Sequence, residues 1–213
     1  MEAILQVQPD LELGMLVEFD ELFALRERLR PLADVVRARL YQAGLQEELQ
    51  VELFEQELEL RGPGENPLLI RLDPFRLEIT GCPASLKIGP LAALLLDEAG
   101  VFRIASAELS FHTYLTAGAG RPLALIEPAF DALPVAGPLL DRRFSLTWEW
   151  GTSTTGYSLI ATSTEDRELY AGFKVQDAYL TLPDLQSSAW FAAQQRVYET
   201  TLEGLLARLG WSV

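Results

Sequence analysis

The sequence predicts an α+β fold: an antiparallel sheet of about six or more strands, covered by a long amphipathic C-terminal helix and accompanied by an N-terminal helix pair. Three observations carry this. Short stretches of alternating apolar and polar residues recur between turn-forming residues, the period of half-buried strands. Most of these stretches follow one another with a single helix inserted, so antiparallel pairing is expected rather than repeated βαβ units. From Ser187 or Ser188 onward the apolar period becomes helical.

Taken in order, residues 2–18 hold two extended candidates, Ala3–Val7 and Met15–Phe19, split by Pro9 and Gly14. Asp20 offers a helix N-cap, because its carboxylate can accept an orphan backbone N–H. ELFALRERLR is helical in period, Pro31 suits the first turn of a second helix, and Gly44 suits its stop. Two helices meeting at Pro31, or one kinked helix, are the alternatives. In QVELFEQELELR (50–61) the alternation changes phase at Phe54, which a bulged strand explains and a helix rivals. RGPGENP is a turn, and it favours a hairpin leading into LLIRL and FRLEIT, with a break at Asp73-Pro74.

Gly89-Pro90 opens an apolar helix, LAALLLDEA, closed by Gly100 and expected to be buried because it is apolar nearly all round. A long extended segment, Val101–Thr116, follows. Leu109, Phe111, Thr113 and Leu115 share one face of it; Ser110, His112, Tyr114 and Thr116 share the other. Residues 117–140 form a Gly/Pro-rich connection, with one helical turn around Ala129–Leu133 and a subdomain junction as a candidate role. Without a firm boundary, 1–213 reads as one domain. Phe144, Leu146, Trp148 and Trp150 then alternate with polar residues, and YSLIATS and ELYAGFKV complete a three-stranded meander. In the last helix Trp190, Phe191, Val197, Tyr198, Leu202, Leu205 and Leu209 fall within an arc of roughly 140° at 100° per residue.

Composition excludes more than it assigns. Among 213 residues, 49% are apolar and 23% charged, which is globular usage. There is one histidine, one cysteine and two lysines, so zinc sites built on several cysteines are excluded and most neutral-pH catalytic devices are absent. A formal charge of −14 repels phosphate, so neither nucleic acid nor an anionic membrane surface is an expected partner. No leader segment is visible at the N-terminus, and the longest apolar run, Pro90–Leu96, is far short of the roughly 20 residues of a membrane helix. A cytoplasmic location is expected.

Several constellations are candidates for chemistry. Ser110, His112 and Tyr114 share a strand face, but i and i+2 positions stand about 7 Å apart, placing Ser110 and His112 beyond direct hydrogen-bond reach. A polar, half-exposed sheet face is the expectation, with His112 exposed on it. Cys82, in TGCPAS, lacks neighbours that would activate it beyond Lys87 and is expected to be structural. Glu47, Glu48, Glu52, Glu55, Glu57 and Glu59 read as a solvated acidic face. Glu149 lies between Trp148 and Trp150, but period 2 puts both tryptophans on the opposite face, for the core. GAGRP (118–122) has no strand–helix context for a phosphate loop. Arg26, Arg28, Arg30, Arg37 and Arg39 against Glu27 and Asp34 make a local +3, leaving −17 for the rest of a chain at −14. Arg26, Arg30 and Arg37 lie within about 40° on one helix if it is continuous through Pro31; they serve either ion pairs with the protein's own acidic surface or a candidate docking stripe for an acidic partner or a phosphorylated ligand.

The element order resembles the START-like helix-grip architecture. That resemblance implies a sheet curled around the last helix with an apolar cavity between them; the helix at 90–99 departs from it. The primary expectation is a non-catalytic binding protein whose pocket uses Trp148, Trp150, Trp190 and Tyr198, for an apolar small molecule. The alternatives are an acidic interaction factor of the chaperone, antitoxin-like or assembly kind, and a carboxylate-dependent enzyme. A protein partner and a homodimer stay open; no cofactor, metal or catalytic residue is expected.

Overall fold

A computed structural model of the chain describes residues 5–7, 11–20, 25–42, 50–63, 67–83, 86–101, 103–117, 145–165 and 168–208. The strands are β1 (Leu5–Val7), β2 (Glu12–Phe19), β3 (Gln50–Leu53), β4 (Leu58–Arg61), β5 (Leu69–Leu72), β6 (Arg76–Pro83), β7 (Ile104–Ala117), β8 (Ser145–Gly151), β9 (Thr155–Glu165) and β10 (Glu168–Asp177). The helices are α1 (Leu25–Gln42), α2 (Ile88–Ala99), α3 (Leu182–Gln186) and α4 (Ser188–Arg208). The class is α+β, with the long C-terminal helix packed on an antiparallel sheet.

The sheet runs β3-β4-β5-β6-β2-β7-β10-β9-β8, and β1 pairs with the far end of β7. One row of paired residues crosses it from edge to edge: Val51, Leu60, Ile70, Ile79, Met15, Leu109, Val175, Tyr157 and Trp150. Because side chains alternate with period 2, this row fixes one face of the whole sheet as apolar. Leu29, Leu32, Val36 and Leu40 of α1, most of α2, and Tyr198, Leu205 and Leu206 of α4 join that face in one apolar cluster. α1 packs toward β3 and β4, α2 toward β6 and β2, and α4 toward β10. The sheet therefore shares one face among several helices, whereas a helix-grip order implies a sheet curled around the last helix.

Three elements differ from expectation. The N-terminal helix pair is one continuous helix passing through Pro31. Proline removes one i→i−4 bond, but Pro31 is exposed while Leu29, Leu32, Ala33 and Val36 keep a single buried stripe, and that burial holds the helix together. Residues 50–61 are neither a bulged strand nor a helix. They form a β3–β4 hairpin whose turn is closed by Phe54 N donating to Glu57 O at 2.9 Å, and the reversal of direction produces the phase change. Gly14 lies inside β2 and does not break the extended stretch; the pairing with β6 shifts register between Leu13 and Met15.

Other features follow the local chemistry. Gly100 ends α2 in the left-handed conformation (φ 82°), and Arg28 donates to Ala99 O at 3.0 Å, placing a cation at the negative end of that helix. Asp73 Oδ1 accepts from Phe75 N and Arg76 N at 2.8 and 3.0 Å, making the β5–β6 turn. α3 was not anticipated. It starts with a reciprocal cap in which Thr181 Oγ1 accepts from Asp184 N and Asp184 Oδ2 accepts from Thr181 N; the Thr181 hydroxyl donating to Asp184 Oδ2 at 2.5 Å, followed by the Thr181 N–H, holds the Asp184 carboxyl below its usual range. Ser187 Oγ accepts from Ala189 N at 3.2 Å where α4 begins. Gly44, the 118–140 connection with its expected turn at Ala129–Leu133, GAGRP, Glu47, Glu48, Leu209 and the Arg26 side chain lie outside the described residues.

Candidate functional site

A groove opens between the β8–β9 end of the sheet and α4. Trp148, Trp150 and Leu159 form its sheet side; Thr200, Thr201, Gly204 and Leu205 form its helix side, enclosing about 290 Å³. Trp150 is 40% exposed and stacks on Tyr157 with centroids 5.6 Å apart, so its ring stands as a wall. Thr201 donates its hydroxyl to Val197 O at 2.7 Å, which satisfies the polar atom within the helix. Gly204 is the informative residue. A glycine inside a helix costs roughly 0.5–1 kcal/mol relative to alanine. A Cβ there would meet nothing within 4 Å. Packing therefore does not require the glycine, which lines the groove where a side chain would find open space.

The four aromatic candidates separate into two places. Trp148 and Trp150 line the groove. Tyr198 is buried in the core, stacked on Phe111 at 4.8 Å and 9°, with its hydroxyl paired to Thr113 Oγ1. Trp190 is half-buried; its Nε1 is buried and has no hydrogen-bond partner among the described residues.

The opposite face of the sheet is polar, and its centre is arranged around two glycines. Gly14 pairs with Ser110, and Gly172 pairs with His112. A Cβ at Gly14 would come within 2.5 Å of Ser110 Oγ, and one at Gly172 within 2.8 Å of Tyr170 Oη. The missing side chains let Tyr170 lean along β10 over Gly172. Its hydroxyl reaches His112 Nδ1 at 2.5 Å, while His112 Nε2 lies 3.1 Å from Ser110 Oγ. The expectation that Ser110 and His112 cannot touch is thus corrected. The 7 Å spacing describes strand positions, whereas a histidine leaning along the strand spans much of it. His112 is also half-buried instead of exposed.

Burial lowers the His112 pKa, with Glu12 and Glu108 opposing and Lys174 reinforcing that shift. Burial likewise raises Tyr170, aided by Tyr114 and Glu12. Lys174 is engaged with Glu108 at 2.7 Å. Glu12, His112, Tyr114, Tyr170, Thr162 and Thr80 border a cleft of about 440 Å³ on this face.

The remaining candidates are dispersed. Arg30 and Arg37 are exposed on α1 and make no ion pair among the described residues, and Arg39 approaches Gln42 Oε1 at 3.4 Å. Among the described residues the acidic stretch is met by β4 and β5: Arg71 reaches Glu57 at 3.0 Å, Glu59 at 2.9 Å and Glu78 at 3.8 Å, and Arg61 reaches Glu59 at 3.0 Å. The hydrogen bond from Arg71 is the main cause holding the Glu59 carboxyl below its usual range. Cys82 is fully buried in β6, and burial pushes its thiol up to about 12. Glu149 pairs in register with Ser158, on the face away from Trp148 and Trp150. Among the described residues no group of three His, Cys, Asp or Glu is placed to hold a metal ion, and no helix is long and apolar enough to cross a membrane.

No protein-family model matches this chain, and no curated protein matches its sequence. Among solved structures it is similar to the S. pombe Pct1 RNA triphosphatase in complex with the Spt5 CTD, at 10% identity and a TM-score of 0.14, over 97% of this chain and 88% of that one. A score that low carries no argument about fold or activity.

Proposed function

We propose that the chain is a non-catalytic cytosolic binding protein that takes a small apolar molecule in the groove between β8–β9 and α4. The observation that carries this reading is Gly204, a helix-weakening residue that lines the groove at a point where a Cβ would meet nothing within 4 Å. The volume, about 290 Å³, lies at the small end of ligand pockets. Two tryptophans supply wide apolar walls. Phenylnaphthylamine, an uncharged apolar fluorophore, is a suitable probe. It should bind saturably, gain emission and quench tryptophan fluorescence. Gly204→Leu should abolish that binding while leaving the fold intact by circular dichroism. Equal binding by the wild type and a folded Gly204→Leu variant would sink the proposal.

A second reading, protein interaction, is favoured by the end of the sheet where the β3–β4 and β5–β6 turns meet. Leu53, Phe54 and Phe75 are 43%, 52% and 56% exposed there. The register Leu53–Leu58–Leu72–Leu77 places both turns at that end. Clustered exposed apolar residues mark interfaces. If this patch joins two copies, Phe54→Glu with Phe75→Glu converts a dimer to a monomer in sedimentation; a wild type that is monomeric at high concentration rules out the homodimer.

A further inference from the structure

The polar face of the sheet carries a second cleft that the groove reading leaves unused. Three registered rows define it. Tyr170 pairs with Tyr114 and with Thr162; Gly172 pairs with His112, which pairs with Glu12; Lys174 pairs with Ser110, which pairs with Gly14. Directly opposed residues bring their Cβ atoms within about 5 Å, and diagonal neighbours stay within reach of long side chains. Glu12 therefore adjoins His112 and lies diagonal to Tyr114. The Tyr114 and Tyr170 rings are 5.3 Å apart and tilted by 50°, forming a corner, not a stack. Tyr114 is 45% exposed, so one ring is open to solvent.

The charge pattern of this cleft is one-sided. Among the described residues, Glu12 is the one formally charged side chain on its border. His112 is held toward the neutral form, and Lys174, which neighbours it, is tied to Glu108. Tyr170 can donate to His112 Nδ1 while His112 Nε2–H donates to Ser110, an arrangement that needs no positive charge. An anion would face Glu12 with no countercharge on the border. A hard metal ion would want several oxygen ligands, and one carboxylate is a poor cage. A carboxylate beside two phenol rings matches an organic cation, whose charge is attracted to ring faces. The chain's net −14 raises the local concentration of such ligands.

We propose that the cleft bordered by Glu12, Tyr114, His112 and Tyr170 is a binding site for an organic ammonium group. Gly14 and Gly172 make the site by letting Ser110 and Tyr170 lie flat, and Glu12 supplies the countercharge. It sits on the opposite face from the groove and does not depend on that reading.

The single histidine provides the readout, because its imidazole resonance in proton NMR is unambiguous in this chain. Choline is the probe, and dimethylbutanol, its uncharged carbon isostere, is the control. Choline should shift the His112 resonance saturably, and the bound cation should lower the histidine pKa further. Dimethylbutanol should not do so at equal concentration. Glu12→Gln should weaken choline binding about tenfold, the loss expected for one close charge pair. Tyr114→Ala, at a position 45% exposed, should weaken it severalfold. The proposal is overturned if dimethylbutanol shifts the resonance as choline does. It is also overturned if choline gives no saturable shift up to about 50 mM, or if both variants bind choline like the wild type.

Discussion

The buried pairing of Tyr198 with Thr113 ties α4 to the central strand β7, and its worth can be worked from the structure. Thr113 is 3% exposed and Tyr198 4% exposed, so neither hydroxyl can turn to water if its partner is lost. Tyr198→Phe removes one hydrogen bond, worth about 0.5–1.5 kcal/mol net, and leaves the Thr113 hydroxyl buried and unpaired, a penalty of about 1–3 kcal/mol. We expect a loss of about 2 kcal/mol. Thr113→Val should cost a similar amount by stranding the Tyr198 hydroxyl. The double variant should cost no more than either single one, because both polar groups are then gone. Urea unfolding at constant slope is the assay. With a slope of about 2 kcal/mol per molar, each single variant shifts the midpoint by about 1 M. A single-variant loss under about 0.5 kcal/mol, or a double variant equal to the sum of the singles, would refute the pairing as a stabilising contact.

Gly204→Ala should raise stability by about 0.5–1 kcal/mol, since the added methyl meets open space and the helix gains propensity; a destabilised variant in urea melts would show that the position is packed. Cys82 should resist a thiol-reactive disulfide dye in the folded protein and react at once in denaturant, given its burial and a thiol pKa pushed to about 12; rapid stoichiometric labelling of the native chain would contradict its placement. His112 should make stability pH-dependent with a definite sign. Its folded pKa lies below the ordinary 6.5, so the unfolded chain binds more protons and stability falls as pH drops from above about 6.5 through the folded value. His112→Gln should flatten that part of the pH profile of the urea midpoint, and an unchanged slope would count against the buried, neutral imidazole.

Strand alternation was legible where both phases are strong. Leu109, Phe111 and Thr113 are buried as their spacing requires, and the meander from Ser145 to Asp177 follows its pattern. Apolarity on all sides marked α2 as buried. The β3–β4 turn was illegible because Phe-Glu-Gln-Glu contains no glycine, proline, asparagine or aspartate, so nothing local announces a reversal. The strand order was beyond reach for another reason: pairing β2 with β6 and β7 joins positions far apart in sequence, and no spacing rule encodes it. Glycines carry the sequence signals for the two clefts. Gly14 and Gly172 sit inside strand patterns, where glycine signals a close approach, and Gly204 sits inside a helical one. The reach between Ser110 and His112 is hidden in the sequence because strand spacing fixes backbone positions and not side-chain tips.

The central position of β2 has a consequence for how the chain assembles. β3 to β6 pair with sequence neighbours, as do β8 to β10, so both blocks can zip up soon after synthesis. β2 is made before either block, yet its seat against β7 pairs Glu12 with His112, roughly a hundred residues later. Loops of that length close slowly, and the closure must precede the contacts that reward it. An emerging chain would thus hold two half-sheets whose shared seam waits on an early segment, with their inner edges exposed until it docks. Those edges are where a stalled or crowded nascent chain would pair with a neighbour in place of itself.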